Sequence, residues 1–166
     1  MKLYRTELEA GLNNKLINLS PESLRLSQFA KKIQCELSNE KSSSGFRIYG
    51  KIDSTINISC DRCLKDYQDD LSSKLNIILT KNEEIIKEMN SDVMIFNNSD
   101  DFIDISDILR DIILLDEPIK KLCNSNCKGL CSNCGLNLNE KHCDCKKFEP
   151  NESLKELENL INYNLE

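Results

Sequence analysis

The stretch GFRIYGKIDSTINISCDRCLKDYQDDLSSKLNIIL, residues 45–79, contains two runs of alternating apolar and polar residues around a short cysteine turn. Such alternation is typical of strands that bury one face. The stretch therefore predicts an antiparallel hairpin whose tip presents Cys60 and Cys63 outward for a metal ion. The apolar residues of the first run are Phe46, Ile48, Ile52, Ile56 and Ile58, and those of the second are Tyr67, Leu71, Leu75, Ile77 and Leu79.

The segments around this hairpin predict an α+β fold, with a mainly antiparallel β body and a few short helices. Ile33, Cys35 and Leu37 alternate with polar residues and predict a further strand. Because Cys35 has no cysteine nearby, we expect its thiol to be buried in the core. Residues 81–90 predict a short helix, and residues 93–96 predict a short buried strand.

An amphipathic helix is predicted at about residues 105–116. Ser106 is a favoured N-cap residue, and Pro118 ends the helical pattern. We expect a β-rich body over residues 1–117, followed over residues 118–166 by a cysteine-rich zinc module and a C-terminal helix that packs on the body. The apolar stripe of the first helix consists of Ile105, Ile108, Leu109, Ile112, Ile113 and Leu115.

Composition restricts the class of protein. The chain has 166 residues, nine cysteines and a formal net charge of -6. In a reducing compartment, closely spaced cysteines bind metal more often than they form disulfides. No stretch resembles a signal peptide or reaches the roughly 20 apolar residues of a membrane span. We therefore expect a cytoplasmic metal-binding protein with no membrane partner.

Six cysteines between Cys123 and Cys145 have the spacing C-x3-C-x3-C-x2-C-x8-C-x-C. Together with the hairpin pair they make two sets of four, the number of thiolates in a tetrahedral zinc site. A short ring loses less entropy on closure, so one set should lie within residues 131–145. The spacing also permits Cys123 and Cys127 to join the last two cysteines. The expected sets are Cys60, Cys63, Cys123 and Cys127 (site 1), and Cys131, Cys134, Cys143 and Cys145 (site 2).

Both sites are predicted to hold structural Zn²⁺, since four thiolates leave no open position for water or substrate. Gly135 follows Cys134 directly and suits a zinc-knuckle turn that needs a positive φ. His142, the only histidine, is expected to face solvent because its cysteine neighbours already complete a set. An iron–sulfur cluster uses similar ligands and is the alternative occupant.

Charge is unevenly distributed along the chain. From Glu83 to Glu117 the local net charge is -9, which predicts a solvated acidic face or a docking surface for a basic protein. From Lys120 to Lys147 it is +4. The lysines of this second segment either neutralise the zinc thiolates or contact RNA phosphate. They are Lys120, Lys121, Lys128, Lys141, Lys146 and Lys147.

These motifs together resemble the YceD family, described as large ribosomal RNA subunit accumulation proteins. They are the Cys-Asp-Arg-Cys-Leu turn at 60–64, the helix at 104–115, and the run at 122–139 with the closing Cys-Asp-Cys at 143–145. The resemblance covers roughly residues 45–163. It maps the family's cysteines onto sites 1 and 2, and it implies a bacterial role in ribosome biogenesis with no established catalytic residues.

The sequence therefore predicts a non-enzymatic factor that supports accumulation or processing of large-subunit (23S) ribosomal RNA. The expected partners are precursor large-subunit rRNA, a basic large-subunit ribosomal protein, or both, and no small-molecule substrate. The alternative is a redox or metal-sensing zinc protein, although cysteines in ligand-like sets disfavour it. A nuclease that holds magnesium on Asp100, Asp101 and Asp104 is disfavoured because no paired base accompanies them.

Overall fold

The structure is a computed structural model. It describes residues 1–43, 45–82 and 92–145. Most of the helix predicted over residues 81–90, and all of the predicted C-terminal helix, lie outside the described residues.

The chain divides into two compact units. The first comprises Met1–Ser59 and Asp66–Lys121, and the second comprises Cys60–Lys65 and Leu122–Glu166. The tip of the central hairpin thus belongs to the second unit, together with the cysteine-rich segment.

The first unit contains a five-stranded sheet and a two-stranded ribbon. The strands of the sheet are β2 (Lys15–Leu19), β3 (Ala30–Ser42), β4 (Gly45–Ser59), β5 (Asp66–Thr80) and β6 (Asp92–Ile95). They lie in sequence order, and every neighbouring pair is antiparallel except β5 and β6, which are parallel. The ribbon pairs β1 (Lys2–Tyr4) with β7 (Phe102–Asp104). The predicted α+β class with a mainly antiparallel sheet is confirmed.

The predicted hairpin is confirmed, since β4 and β5 pair along their whole length, from Gly45 opposite Thr80 to Ser59 opposite Asp66. All five apolar residues of the β4 pattern are buried, and so are Leu75, Ile77 and Leu79 of β5. Burying each such side chain contributes about 1.5–3 kcal/mol to folding. The alternation read from the sequence therefore determines which face of the sheet forms the core.

Cys35 lies in this core, as predicted. It faces Ile17 across β2 and Ile52 across β4, and its side chain is fully buried. Burial raises the pKa of the Cys35 thiol to about 11, because the thiolate would lose its hydration. Cys35 therefore remains a neutral packing residue.

In the described part of the chain three short helices accompany the strands: α1 (Arg5–Ala10), a 3-10 helix (Pro21–Leu24) and α2 (Ser106–Leu115). Helix α2 packs against β4, β5 and the 3-10 helix, and it buries Leu109 and Ile113. Among the described residues, no helix has both the length and the apolar character needed to cross a membrane.

Two details of α2 differ from the prediction. Ser106 is the first helical residue rather than the N-cap, and its backbone N–H donates to the Asp104 carboxylate at 3.0 Å. An acidic side chain at this end also interacts favourably with the helix dipole. Leu115 was assigned to the apolar stripe, yet 83% of it is exposed, because it lies about 200° around the helix from the buried Ile113.

The strand predicted over residues 93–96 exists as β6, but the prediction that it is buried was wrong. Val93 and Met94 are half-buried, and 41% of Ile95 is exposed. An edge strand has a neighbour on one side only, and this position in the sheet is a tertiary property. Phe96, just after the strand, is the buried residue of the segment.

A close backbone approach between β3 and β4 predicts a large effect of one substitution. A Cβ atom at Gly50 would lie 1.9 Å from the backbone oxygen of Glu36 on β3. We expect Gly50→Ala to lower the free energy of unfolding by about 3 kcal/mol, because β3 and β4 must separate locally. Urea denaturation of the purified protein measures this loss.

Gly11→Ala is the matched control. Gly11 has a φ of 88°, and a Cβ atom there would have no neighbour within 4 Å. It should therefore cost about 1–2 kcal/mol, the conformational penalty of a backbone geometry (φ 88°, ψ 123°) that residues other than glycine rarely adopt. Equal losses in the two variants would contradict the steric explanation.

Candidate metal centres

Eight cysteines of the second unit form two compact clusters. In each cluster the four sulfur atoms lie within 4.8 Å of one another. The members are Cys60, Cys63, Cys123 and Cys127 in site 1, and Cys131, Cys134, Cys143 and Cys145 in site 2. These are the two sets that the sequence spacing favoured, and Cys123 and Cys127 do not join Cys143 and Cys145.

The sulfur spacing fits a single tetrahedral ion in each cluster. The Sγ–Sγ distance is 3.8 Å from Cys60 to Cys127 and 3.6 Å from Cys63 to Cys123. In site 2, Cys143 Sγ is 3.4 Å from the Sγ atoms of both Cys131 and Cys134. A tetrahedron with metal–sulfur bonds of about 2.3 Å has edges of about 3.8 Å. Disulfide sulfurs lie at about 2.0 Å, so the clusters fit metal ions.

The Cys-x-x-Cys turns of the two sites share one backbone geometry. The N–H of Leu64 donates to the carbonyl of Cys60 at 2.9 Å, and the N–H of Gly135 donates to that of Cys131 at 2.9 Å. Both residues have a positive φ, 59° for Leu64 and 70° for Gly135. The prediction of a left-handed residue after Cys134 is thus confirmed. Glycine adopts this conformation freely, whereas leucine pays about 1–2 kcal/mol.

Backbone amides, most of them inside these turns, stabilise negative charge on the first sulfur of each pair. The amides of Cys123, Cys63 and Arg62 lower the pKa of Cys60 to about 6, against the opposing effect of burial. The amides of Cys134 and Asn133 likewise lower the pKa of Cys131 to about 6. One cysteine in each cluster is therefore prepared to act as a thiolate, the form that binds metal.

Crowding of the sulfur atoms raises the pKa of another cysteine in each cluster. The Cys63 sulfur is the main factor that raises the pKa of Cys123 to about 12. The amide of Cys145 lowers the pKa of Cys143, but the sulfurs of Cys145, Cys131 and Cys134 together raise it to about 12. Four thiolates so close together repel one another, so a cation is needed to hold all four deprotonated.

The described part of the second unit contains very little apolar core. Among its described residues, 60–65 and 122–145, the buried side chains are those of Cys60, Cys63 and Cys127. Segments of this size without a hydrophobic core are usually held together by metal ions or disulfides. The described cysteines are all free thiols, so metal binding is the available source of stability.

Two polar side chains support site 1, and neither was among the site residues predicted from the sequence. The Arg62 guanidinium donates to the carbonyl of Cys127 at 2.8 Å, and Asn139 donates from Nδ2 to the Sγ of Cys127 at 3.3 Å. Gly129 fits against Arg62, since a Cβ atom there would lie 3.1 Å from the Arg62 carbonyl oxygen. Arg62 lies inside a Cys-x-x-Cys turn, and this position is the one sequence signal that could have indicated its role.

The remaining candidate residues are distributed over both units. His142 is exposed and belongs to neither cluster. Lys120 and Lys121 belong to the first unit, where Lys121 pairs with Glu117 at 2.6 Å. Lys128 and Lys141 are exposed residues of the second unit. The predicted contacts at Lys146 and Lys147 lie outside the described residues.

The acidic residues considered for magnesium have structural roles instead. The Asp100 carboxylate accepts the N–H of Asn97 at 2.7 Å, and Asp104 accepts the first N–H of α2. Among the described residues, the only groups of three or more potential metal ligands are the two cysteine clusters. Asp100, Asp101 and Asp104 therefore form no such group.

The fold and the clusters together define an α+β protein with two four-cysteine metal centres, each able to hold one ion. Residues 48–161 match the model of a protein family described as "Large ribosomal RNA subunit accumulation protein YceD". The chain therefore belongs to the YceD family, as the sequence motifs indicated. The matched region contains all eight clustered cysteines.

Two curated relatives come from plants. The chain is 28% identical over 142 residues to "Large ribosomal RNA subunit accumulation protein YCED homolog 1, chloroplastic" of Arabidopsis thaliana, which covers 69% of this chain and 44% of that protein. It is 50% identical over 52 residues to the protein of the same name from Zea mays, covering 31% of this chain and 18% of the relative. The chain thus spans less than half the length of these relatives. No solved structure shows a significant match to it.

The geometry predicts that the protein purifies with one thiophilic divalent ion in each cluster. Changing Cys63 to Ser in site 1, or Cys143 to Ser in site 2, should lower the metal content by about one ion, because each removes one of four ligands. Elemental analysis of the desalted protein gives the stoichiometry.

Cys35→Ala is the control, because Cys35 is a buried free cysteine outside both clusters. It should lower stability through a small core cavity and leave the metal content unchanged. Loss of metal from this variant, or a single ion per wild-type chain, would contradict the assignment of two sites.

Proposed function

We propose that the protein is a non-enzymatic ribosome-biogenesis factor that supports accumulation or processing of large-subunit (23S) ribosomal RNA. Membership of the YceD family over residues 48–161 carries this proposal. The printed names of the plant relatives support it, since both refer to accumulation of large ribosomal subunit RNA. The binding partner is a macromolecule, and the metal centres organise the surface that contacts it.

The metal in both sites is zinc in a structural role. Four cysteine sulfurs within 4.8 Å complete a tetrahedral coordination shell. Catalytic zinc keeps one position for water, and these clusters leave none. In a multi-iron cluster the cysteines bind different iron atoms, so sulfurs gathered around one point favour a single ion over an iron–sulfur cluster. Metal analysis distinguishes zinc from a single iron.

The RNA contact is assigned to lysines of the cysteine-rich segment. Lys128 and Lys141 are exposed in the second unit, and Lys128 precedes Gly129, which lies against Arg62. Lysine ammonium groups neutralise phosphates and release condensed counterions, which makes binding sensitive to salt. The full candidate set is Lys120, Lys121, Lys128, Lys141, Lys146 and Lys147.

A basic large-subunit ribosomal protein is the second partner, and α2 offers the surface for it. Asp107, Asp111 and Asp116 are exposed on or just after this helix. They lie close in sequence to Leu115, which is 83% exposed, and to Ile119, which is fully exposed. Acidic residues beside exposed apolar ones suit a cationic segment that also carries apolar side chains.

A redox or metal-sensing role is the second candidate function, and the exposure of site 2 favours it. Cys134 and Cys145 are exposed, whereas three of the four site 1 cysteines are buried. Exposed thiolates oxidise more readily than buried ones. Reversible formation of a disulfide within site 2, coupled to release of its metal under physiological peroxide, would support the sensing role over the assembly role.

The function is tested by depleting the protein in its native cell. The expected result is a fall in mature large-subunit rRNA relative to small-subunit rRNA, restored by the wild-type gene. Restoration by a variant with both Lys128→Glu and Lys141→Glu should be incomplete. An unchanged ratio of the two rRNAs after depletion would refute the proposal.

Salt dependence tests the phosphate contact directly. The double variant Lys128→Glu/Lys141→Glu should bind precursor rRNA more weakly, and the slope of log K against log salt should decrease by about 1.5, because each lost phosphate contact contributes about 0.7–0.9. Filter binding or fluorescence anisotropy at several salt concentrations measures both quantities.

A double variant of the first unit, Lys31→Glu/Lys74→Glu, is the matched control. Both lysines are exposed on strands of the sheet, so the variant makes the same change in net charge. It should weaken binding less and leave the slope nearly unchanged. Equal effects of the two variants would assign the affinity to net charge alone.

A further inference from the structure

Asn139 belongs to the loop of one metal cluster but contacts a ligand of the other. It lies between Cys134 and Cys143, both members of site 2. Its side-chain Nδ2 nevertheless donates to the Sγ of Cys127, a member of site 1, at 3.3 Å. A donor to a ligating sulfur delocalises the thiolate charge, which is how outer hydrogen bonds tune metal affinity.

A neighbouring backbone N–H and a neighbouring side-chain oxygen fix the orientation of the Asn139 amide. Its Oδ1 accepts the N–H of Lys128 at 2.8 Å, and its Nδ2 donates a second hydrogen bond to Asn137 Oδ1 at 2.8 Å. A backbone N–H can only donate, so the amide oxygen must face Lys128. The NH₂ group then faces the sulfur, and the reversed orientation would direct an oxygen at a thiolate.

The same loop is attached to the segment between the two sites by backbone hydrogen bonds. The N–H of Leu138 donates to the carbonyl of Gly129 at 2.9 Å, and the N–H of Cys131 donates to that of Leu136 at 2.8 Å. Leu130 and Asn137 form an antiparallel bridge. The loop therefore lies along residues 127–131, which end at ligands of both sites.

We propose that Asn139 is a positioning residue that couples the two metal sites. A metal in site 2 fixes both ends of the 134–143 loop and so holds the Asn139 amide against Cys127, which raises the affinity of site 1 for its own ion. Because binding free energies are linked reciprocally, metal in site 1 raises the affinity of site 2 by the same factor. The two ions therefore bind cooperatively, and site 1 loses affinity when site 2 is empty.

The isosteric change Asn139→Asp tests the contact. Aspartate keeps an acceptor for the Lys128 amide but replaces the donor to Cys127 with a negative charge. The expected result is a weakening of site 1 of about 10-fold or more, the usual effect of losing an outer-shell partner. In the cadmium-loaded protein each site gives its own cadmium NMR resonance, and chelator titration of the two signals yields separate affinities.

Asn126→Asp is the matched control, since it makes the same change of side chain and charge directly beside Cys127 in sequence. Asn126 is exposed, and the hydrogen bond found for it is through its backbone N–H, to Asn124. It should change the affinity of site 1 by a small factor only. Equal weakening by Asn126→Asp and Asn139→Asp would overturn the assignment.

The coupling itself is measured by a double-mutant cycle. Cys143→Ser empties site 2 and should weaken site 1 in the wild-type background, but weaken it markedly less in the Asn139→Ala background. An equal loss of site 1 affinity in both backgrounds would show that Asn139 does not couple the two metal sites.

One measurement uses the wild-type protein and so does not require any variant to fold. A scalar coupling between site 1 cadmium and an Asn139 side-chain proton is expected, because the hydrogen bond connects them through Cys127. Absence of that coupling, with both sites loaded, would refute the contact. Failure of metal to bind at all would appear instead in the metal content, and failure of the ribosomal role would appear only in the rRNA ratio.

Discussion

The second unit depends on the convergence of four sulfur atoms from chain segments far apart in the sequence. Cys60 and Cys63 lie at the tip of the central hairpin, and Cys123 and Cys127 follow after 59 intervening residues. Closing so long a loop costs conformational entropy, and gathering four thiolates adds electrostatic repulsion. A divalent cation offsets both, which makes the free energy of metal binding part of the free energy of folding.

The two units are stabilised by different physical means. The first has a continuous apolar core, to which β4 and the second half of β5 contribute one buried face. The described part of the second buries only cysteine side chains and is held by backbone hydrogen bonds around its two clusters. Loss of metal should therefore disorder the second unit while leaving the sheet largely intact. The Asn139 contact fits this arrangement, because the described residues of the second unit offer polar contacts rather than an apolar core to hold one cluster against the other.

The clustered cysteines form potential metal sites, whereas two of the acidic residues have structural roles. Both coordination shells are complete, and Asp100 and Asp104 are used as caps of a turn and a helix. Two clusters of four cysteines, each able to hold a metal ion, are compatible with the proposed contacts to RNA and to a basic protein. Leu64 is consistent with a contact role, since it is 68% exposed and adopts a left-handed conformation that costs energy.

The sequence by itself determined the hairpin, its buried face, the core position of Cys35 and the presence of two sets of four cysteines, but it left open which set contains Cys123 and Cys127. Period-two alternation and ligand spacing are local properties, so they can be read without coordinates. Tertiary structure alone decided that β6 is a parallel edge strand, that Leu115 is exposed, and that the hairpin tip belongs to the second unit. It also decided the roles of Arg62 and Asn139, because a hydrogen bond to a sulfur 12 residues away leaves no periodic signal in the sequence.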